Sequence, residues 1–196
     1  MTLPSGAIRS FEILALVAGV AYAVLAARRN RLCWIAGALS SACAALVSGV
    51  RALPMQSALQ VFYVAMSVYG WWNWTRSTSQ GELAVGTWPW QRHLAMVSVL
   101  VLLTYFSASL LATETQAAWP LLDSLTTWFS LFATWLTARA RLENWLYWIA
   151  IDGVLVYLFY VQELPYLAGL NVLFIAIATA GFVAWRRQLR AQQVAA

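Results

Sequence analysis

Seven apolar stretches divide the chain, at residues 11–27, 33–50, 55–74, 94–112, 122–138, 144–161 and 165–185. As helices, segments of roughly 17–21 residues rise about 25–32 Å, close to the ~30 Å hydrocarbon thickness of a bilayer. The expected fold is an all-α membrane protein with seven transmembrane helices. The composition is 62% hydrophobic and only 10% charged, where a soluble domain carries about a quarter charged residues. The net charge of +5 is no nucleic-acid footprint, because the arginines lie between the stretches, where topology signals lie. The partner implied is the lipid bilayer, with no nucleic acid.

Those arginines orient the chain. Arg28, Arg29, Arg31, Arg76, Arg92, Arg139, Arg141, Arg186, Arg187 and Arg190 fall on one side, and only Arg9 and Arg51 on the other. The positive-inside rule then puts the C-terminus in the cytoplasm and the N-terminus outside. Arg9, the run after it and Ala21-Tyr22-Ala23 imitate a signal peptide with an A-x-A site. Glu12 at the start of that run argues against cleavage.

A second argument is an ungapped self-match of 11–76 on 122–187. It pairs Arg28 with Arg139, Trp34 with Trp145, Pro54 with Pro165, Gly70 with Gly181, Trp74 with Trp185 and Arg76 with Arg187. The first stretch thus has a partner in the fifth, as a mature helix should. Each copy holds three helices, and three crossings end on the opposite side from the start. Stretch 94–112 has no partner and supplies the extra crossing that lets the second copy begin outside again. The expected architecture is 3+1+3, with parallel repeats about an axis along the membrane normal. The domains expected are residues 1–76, a long cytoplasmic loop with linker helix 94–112 within 77–121, and 122–196 with a cytoplasmic tail.

Parallel repeats of this kind hold substrate near the bilayer midplane, at the repeat interface. Polar side chains within the stretches are therefore the candidates, since burying them there is expensive. Asp152 lies mid-stretch, and Trp145, Trp148 and Asp152 fall at i, i+3 and i+7, one helical stripe. Two indoles beside a carboxylate suit a flat cation; the structural alternative is an interhelical hydrogen bond. Gln56 and Gln60 share a face with Tyr63 and suit ribose hydroxyls or an amide. Asn171 matches Gln60 in the self-alignment. Glu12 and Asp123 stand at equivalent outer ends, as helix caps or as an outer gate. In Tyr69-Gly70-Trp71-Trp72-Asn73-Trp74, Trp74 and its partner Trp185 precede arginines and are expected in the aromatic belt. Trp71 and Trp72 lack tryptophan partners and are candidates for an inner gate.

No enzyme signature is present. His93 is the single histidine, and HExxH, GxSxG, P-loop and dinucleotide motifs are all missing. No catalytic residues, metal ligands or cofactor are expected. Cys33 and Cys43, roughly 15 Å apart on one helix, are too distant for a disulfide and are read as small packing residues.

Leu59-Gln60-Val61-Phe62-Tyr63, Tyr69-Gly70-Trp71 with Trp74, and Glu143-Asn144-Trp145 with Trp148 and Asp152 resemble the PnuC family of bacterial vitamin-precursor transporters. The resemblance spans essentially the whole chain. It implies the same 3+1+3 arrangement, similar to a full-length version of the SWEET sugar transporters. It also implies facilitated diffusion of nicotinamide riboside, trapping by a cytoplasmic kinase, a homotrimer and a place in the bacterial inner membrane. Gln60, Tyr63, Asn144, Trp145, Trp148 and Asp152 are implied to belong to the substrate site or to flank it. The chain departs at Leu53-Pro54, where the family often has a leucine–tyrosine pair. Relatives of the family carry thiamine or riboflavin. Nicotinamide riboside and thiamine are flat cations that suit the tryptophan–carboxylate stripe, and riboflavin is neutral and larger. A vitamin-binding membrane sensor that does not transport is the other class left open.

Overall fold

The computed structural model describes residues 4–50, 54–78, 83–114 and 119–195. Among them stand seven helices: α1 (Ser5–Ala27), α2 (Cys33–Val50), α3 (Pro54–Thr78), α4 (Trp90–Glu114), α5 (Pro120–Ala138), α6 (Asn144–Val161) and α7 (Pro165–Ala195). Arg51, Leu53 and residues 79–82 of the long connection lie outside the described residues. The helices cover all seven apolar stretches, and all but α2 and α6 outrun theirs. In particular, α7 carries Arg186, Arg187 and Arg190 on a continuous helix, where a tail was expected.

Local chemistry sets the boundaries. Proline occupies the first position of α3, α5 and α7, where its missing N–H removes no helical bond and its φ is already helical. At their ends, α1, α5 and α6 close with one residue in left-handed conformation: Arg29 (φ 56°), Ala140 (φ 50°) and Glu163 (φ 59°). Beyond each, an N–H reaches back to an orphan carbonyl: Asn30 to Leu25 at 2.9 Å, Arg141 to Leu136 at 2.9 Å and Leu164 to Phe159 at 2.9 Å. These are Schellman closures made without the usual glycine.

Five helices are long and apolar enough to cross a membrane: Gly6–Ala27, Cys33–Val50, Trp90–Thr113, Asn144–Val161 and Pro165–Val194. The other two fall short on composition. α3 carries Gln56, Gln60, Asn73 and Arg76, and α5 carries Asp123 with hydroxyls at 124, 126, 127, 130, 134 and 137. Part of that polarity is internally satisfied: Thr126 donates to Leu122 O and Thr134 to Ser130 O, both at 2.8 Å. The outer surface is apolar, as a lipid solvent requires; on α4, Leu102 is 69% and Phe106 67% exposed.

By internal packing the chain forms two compact units, Met1–Ala84 with Thr137–Arg139, and Val85–Leu136 with Ala140–Ala196. In the first unit α2 packs against both α1 and α3. Its centre is Trp34, fully buried, with its ring face on Gly70 and its edge to Trp74 (centroids 5.5 Å, planes at 89°). In the second unit α6 pairs with α7, and Trp145 lies on Gly181 and edge-to-face with Trp185 (5.4 Å, 89°). A separate cluster of Leu100, Phe132 and Leu136 packs with Trp88, Met96 and Tyr147.

The arrangement corrects one expectation. Trp74 is 5% exposed and Trp185 0%, so neither belongs to an aromatic belt. Each indole finds more apolar contact against its partner tryptophan than a headgroup region offers. The free cysteines Cys33 and Cys43 are buried, as expected of packing residues.

Candidate functional site

α6 places Asp152 midway along its length, nine residues before Val161. Asp152 is 6% exposed as a residue, and among the described residues it has neither a hydrogen bond nor an ion pair. An uncompensated carboxyl at that depth is costly unless something fills the place of a partner. One turn before it, Trp148 is half-buried and stacks on no other ring among the described residues.

Two other members of the predicted stripe are already engaged. The face of Trp145 is covered by Gly181 and its edge by Trp185, and its Nε1 is buried without an acceptor among the described residues. Asn144 is 0% exposed and donates its amide to Arg141 O at 2.6 Å, closing the turn that leads into α6. Both hold α6 in place. Asn171 is buried and its amide nitrogen donates to Leu167 O at 2.8 Å. It stands six residues after Pro165, so it and Asp152 lie within about one turn of the same depth along the α6–α7 pair.

In the first unit, Gln56 is exposed and Gln60 half-buried. Of the two glutamines, Gln60 is the enclosed one. Tyr63 is half-buried, its ring edge-on to Phe62 at 6.0 Å. The position matching Asp152 at the repeat offset is Ser41, also buried, so a carboxylate at this depth is a property of the second unit.

The four gate candidates are scattered. Trp71 lies beneath the Arg31 guanidinium (5.7 Å) and Trp72 beneath that of Arg76 (4.3 Å). Trp72 is 51% exposed, and an indole clasped by arginine at a helix end is how an interfacial anchor looks. Asp123 is exposed in the first turn of α5, where the helix dipole favours an acid. Glu12 is half-buried and engaged by a partner.

Sequence reasoning missed a polar group in the second unit. Glu143 accepts from Trp88 N at 2.8 Å, and His93 Nδ1 lies 3.0 Å from Tyr147 Oη. It also missed that Asn73 Nδ2 (2.7 Å) and Trp74 Nε1 (3.1 Å) both donate to Ala138 O in the last turn of α5. That carbonyl is one of the orphans every helix end leaves. The signals were present: the single histidine and the glutamate of the Glu143-Asn144-Trp145 motif. Among the described residues no group of three His, Cys, Asp or Glu side chains is placed to hold a metal.

Known proteins resemble this one over most of its length. The family model described as nicotinamide mononucleotide transporter matches residues 9–187. The nicotinamide riboside transporter PnuC of Escherichia coli K12 is 29% identical, over 67% of this chain and 66% of that protein. The riboflavin/roseoflavin transporter RibM of Streptomyces davaonensis is 25% identical, over 64% and 61%. The chain thus spans less than two thirds of the curated relatives it matches, by a narrow margin for PnuC. A crystal structure of the vitamin B3 transporter PnuC superposes with a TM-score of 0.74 at 21% identity, covering 92% of this chain and 82% of that one. At that identity the match speaks for the fold.

Proposed function

We propose, from the premise that this chain belongs to the nicotinamide mononucleotide transporter family, that its cargo is nicotinamide riboside. The family is one of multi-pass membrane transporters rather than enzymes. One observation carries the choice of cargo: the buried residue Asp152, with no hydrogen bond or ion pair among the described residues, one turn from the half-buried indole of Trp148, which stacks on no other ring there. A pyridinium ring stacked on the indole brings its positive charge toward the carboxylate. A desolvated cation–π contact of this kind contributes about 2 kcal/mol or more. Asn171 is the proposed reader of the carboxamide and ribose hydroxyls in the second unit, and Gln60 with Tyr63 is proposed as a substrate contact of the first unit taken by itself.

Trp145 and Asn144 support this site by fixing α6 and do not touch the vitamin. In this reading Trp71 and Trp72 are cytoplasmic-end anchors, and Glu12 and Asp123 terminate helices. The chain crosses the bacterial inner membrane seven times as 3+1+3 repeats, SWEET-like, with its N-terminus outside. Support for the repeat lies in the recurrence, at one offset, of the left-handed residues Arg29 and Ala140 and of the Trp34–Gly70–Trp74 and Trp145–Gly181–Trp185 groups. Transport is facilitated diffusion by a homotrimer, and a cytoplasmic kinase traps the product by adding a charged phosphate. A lone carboxylate without a partner base fits a carrier that does not couple to protons.

A second reading, a riboflavin carrier, is favoured by the resemblance to RibM. A neutral flavin leaves the Asp152 charge uncompensated, which ranks it below the riboside. Thiamine shares the cationic chemistry and is the natural competitor. Tryptophan-fluorescence titration of the purified protein with nicotinamide riboside, thiamine and riboflavin separates the three. Micromolar or tighter quenching by the riboside, weakened in Asp152→Ala, is expected. Preference for riboflavin with no effect of Asp152→Ala refutes the cationic-cargo reading. Binding without flux in liposomes points instead to a sensor.

A further inference from the structure

The transport reading makes no use of residues 85–88, the segment leading into α4. Val85 is 3% exposed. Gly86 forms an isolated parallel bridge with Arg141: its N–H donates to Ala140 O at 3.1 Å, and Leu142 N–H donates to its carbonyl at 2.9 Å. Trp88 N–H donates to Glu143 Oε1 at 2.8 Å. The Trp88 indole lies against His93 (5.5 Å), Phe132 (5.9 Å) and Trp135 (5.4 Å). This short segment is therefore fastened to the α5–α6 turn by two backbone bonds, one carboxylate and one indole. Three residues upstream of Gly86, Leu83 O accepts from the Arg29 guanidinium within the first unit.

The attachment is only partly completed. His93 Nε2 stands 3.7 Å from Glu143 Oε1, beyond hydrogen-bond reach. Glu143 Oε2 and His93 Nε2 are both buried without a hydrogen-bond partner among the described residues. Native proteins leave few such atoms, and those they leave ask for a reason. Two strand bonds are also far below what holds a sheet by itself. A contact built from so few bonds, with polar groups in reserve beside it, suits a part that lets go and re-forms.

We propose that residues 85–88 are a releasable strap, that Glu143 is the positioning residue that docks it, and that passage of substrate requires its release. The proposal rests on the transport reading above and adds a moving part to it. Any cycle that shifts the ends of α4, α5 and α6 must either carry the strap along or free it.

A reversible lock tests this. Bridge partners on neighbouring strands lie about 5 Å apart, within the Cα range of a disulfide. Gly86→Cys is therefore combined with Arg141→Cys, which also removes the guanidinium that a Cβ at Gly86 would strike. In proteoliposomes the reduced pair is expected to take up nicotinamide riboside at close to the wild-type rate. The oxidised pair, with its cross-link verified by mass, is expected to bind within twofold but transport at least tenfold more slowly, and reductant should restore the rate. Equal transport by the oxidised and reduced pair overturns the strap alone. A wild type that moves no riboside overturns the transport reading, and the strap falls with it. If the pair does not fold, Val85→Cys provides a second readout. Its labelling by a polar thiol reagent should accelerate at least fivefold when Glu143→Ala, which removes the acceptor for Trp88 N–H, is added, and unchanged labelling overturns the role of Glu143.

Discussion

An alanine at position 70 would carry its methyl carbon 2.5 Å from Cδ2 and Cζ2 of Trp34, a separation real Cβ atoms essentially never show. Nothing nearby yields easily. Trp34 is 1% exposed, with Trp74 against its ring edge and Tyr22 at 5.7 Å on another side. The neighbour is the rigid ring system rather than the end of a flexible chain, so the helix backbone or the whole indole must shift. Overpacking of this kind costs about 1–3 kcal/mol. For a chain of this size each kcal/mol corresponds to about 2–4 °C in Tm. Gly70→Ala is therefore expected to lower the apparent Tm by roughly 2–12 °C in scanning fluorimetry of the detergent-purified protein. Gly181→Ala should act in the same direction but less strongly, because its methyl carbon stops 2.7 Å from Trp145. Gly153→Ala and Gly169→Ala are the controls: a Cβ there meets nothing within 4 Å, and helix propensity predicts a neutral or upward shift. Trp34→Leu should abolish the cost of Gly70→Ala in a double-mutant cycle. A Gly70→Ala protein that melts with wild type, or a cycle without coupling, refutes the account of the tryptophan–glycine contact.

Other substitutions probe the rest of the molecule. Glu163 is exposed and left-handed, so Glu163→Gly should relieve about 1 kcal/mol of backbone cost; an unchanged or lower Tm would argue against the closure described for α6. Gln60 is enclosed and Gln56 exposed. Gln60→Ala should weaken riboside binding roughly tenfold, equivalent to one net hydrogen bond, while Gln56→Ala should leave calorimetric affinity unchanged. Equal effects of the two would mean that both reach the vitamin. Trp148→Ala should remove the stacking contact and weaken binding roughly thirtyfold, whereas a change confined to stability would make Trp148 a packing residue.

The helices were legible because seven apolar runs of membrane-spanning length leave a chain few options; the prolines at 54, 120 and 165 that start α3, α5 and α7 were present in the sequence as boundary signals but were not read as such. The Schellman closures were not legible, because Arg29, Ala140 and Glu163 stand where glycine is the usual sign. Candidate site residues were identified by type and spacing, and spacing does not say what a side chain already touches. Trp145 and Trp148 looked equivalent on the stripe, yet only Trp145 has a glycine opposite it to receive the ring. Trp74 and Trp185 looked like belt residues because arginines follow them, but helix geometry turns them inward while Trp72 faces out. The Glu143–His93 group joins a residue of the α5–α6 turn to one of α4, fifty positions apart, and one sequence without its fold cannot bring these together.

Uptake of labelled nicotinamide riboside into proteoliposomes, by wild type and by Asp152→Asn, tests the central claim most directly. Asparagine keeps the size of the side chain and removes only its charge. The account predicts saturable wild-type uptake that protonophores do not change, with Asp152→Asn at least tenfold slower at sub-saturating riboside. Uptake that Asp152→Asn leaves intact, or binding with no flux above empty liposomes, would contradict it.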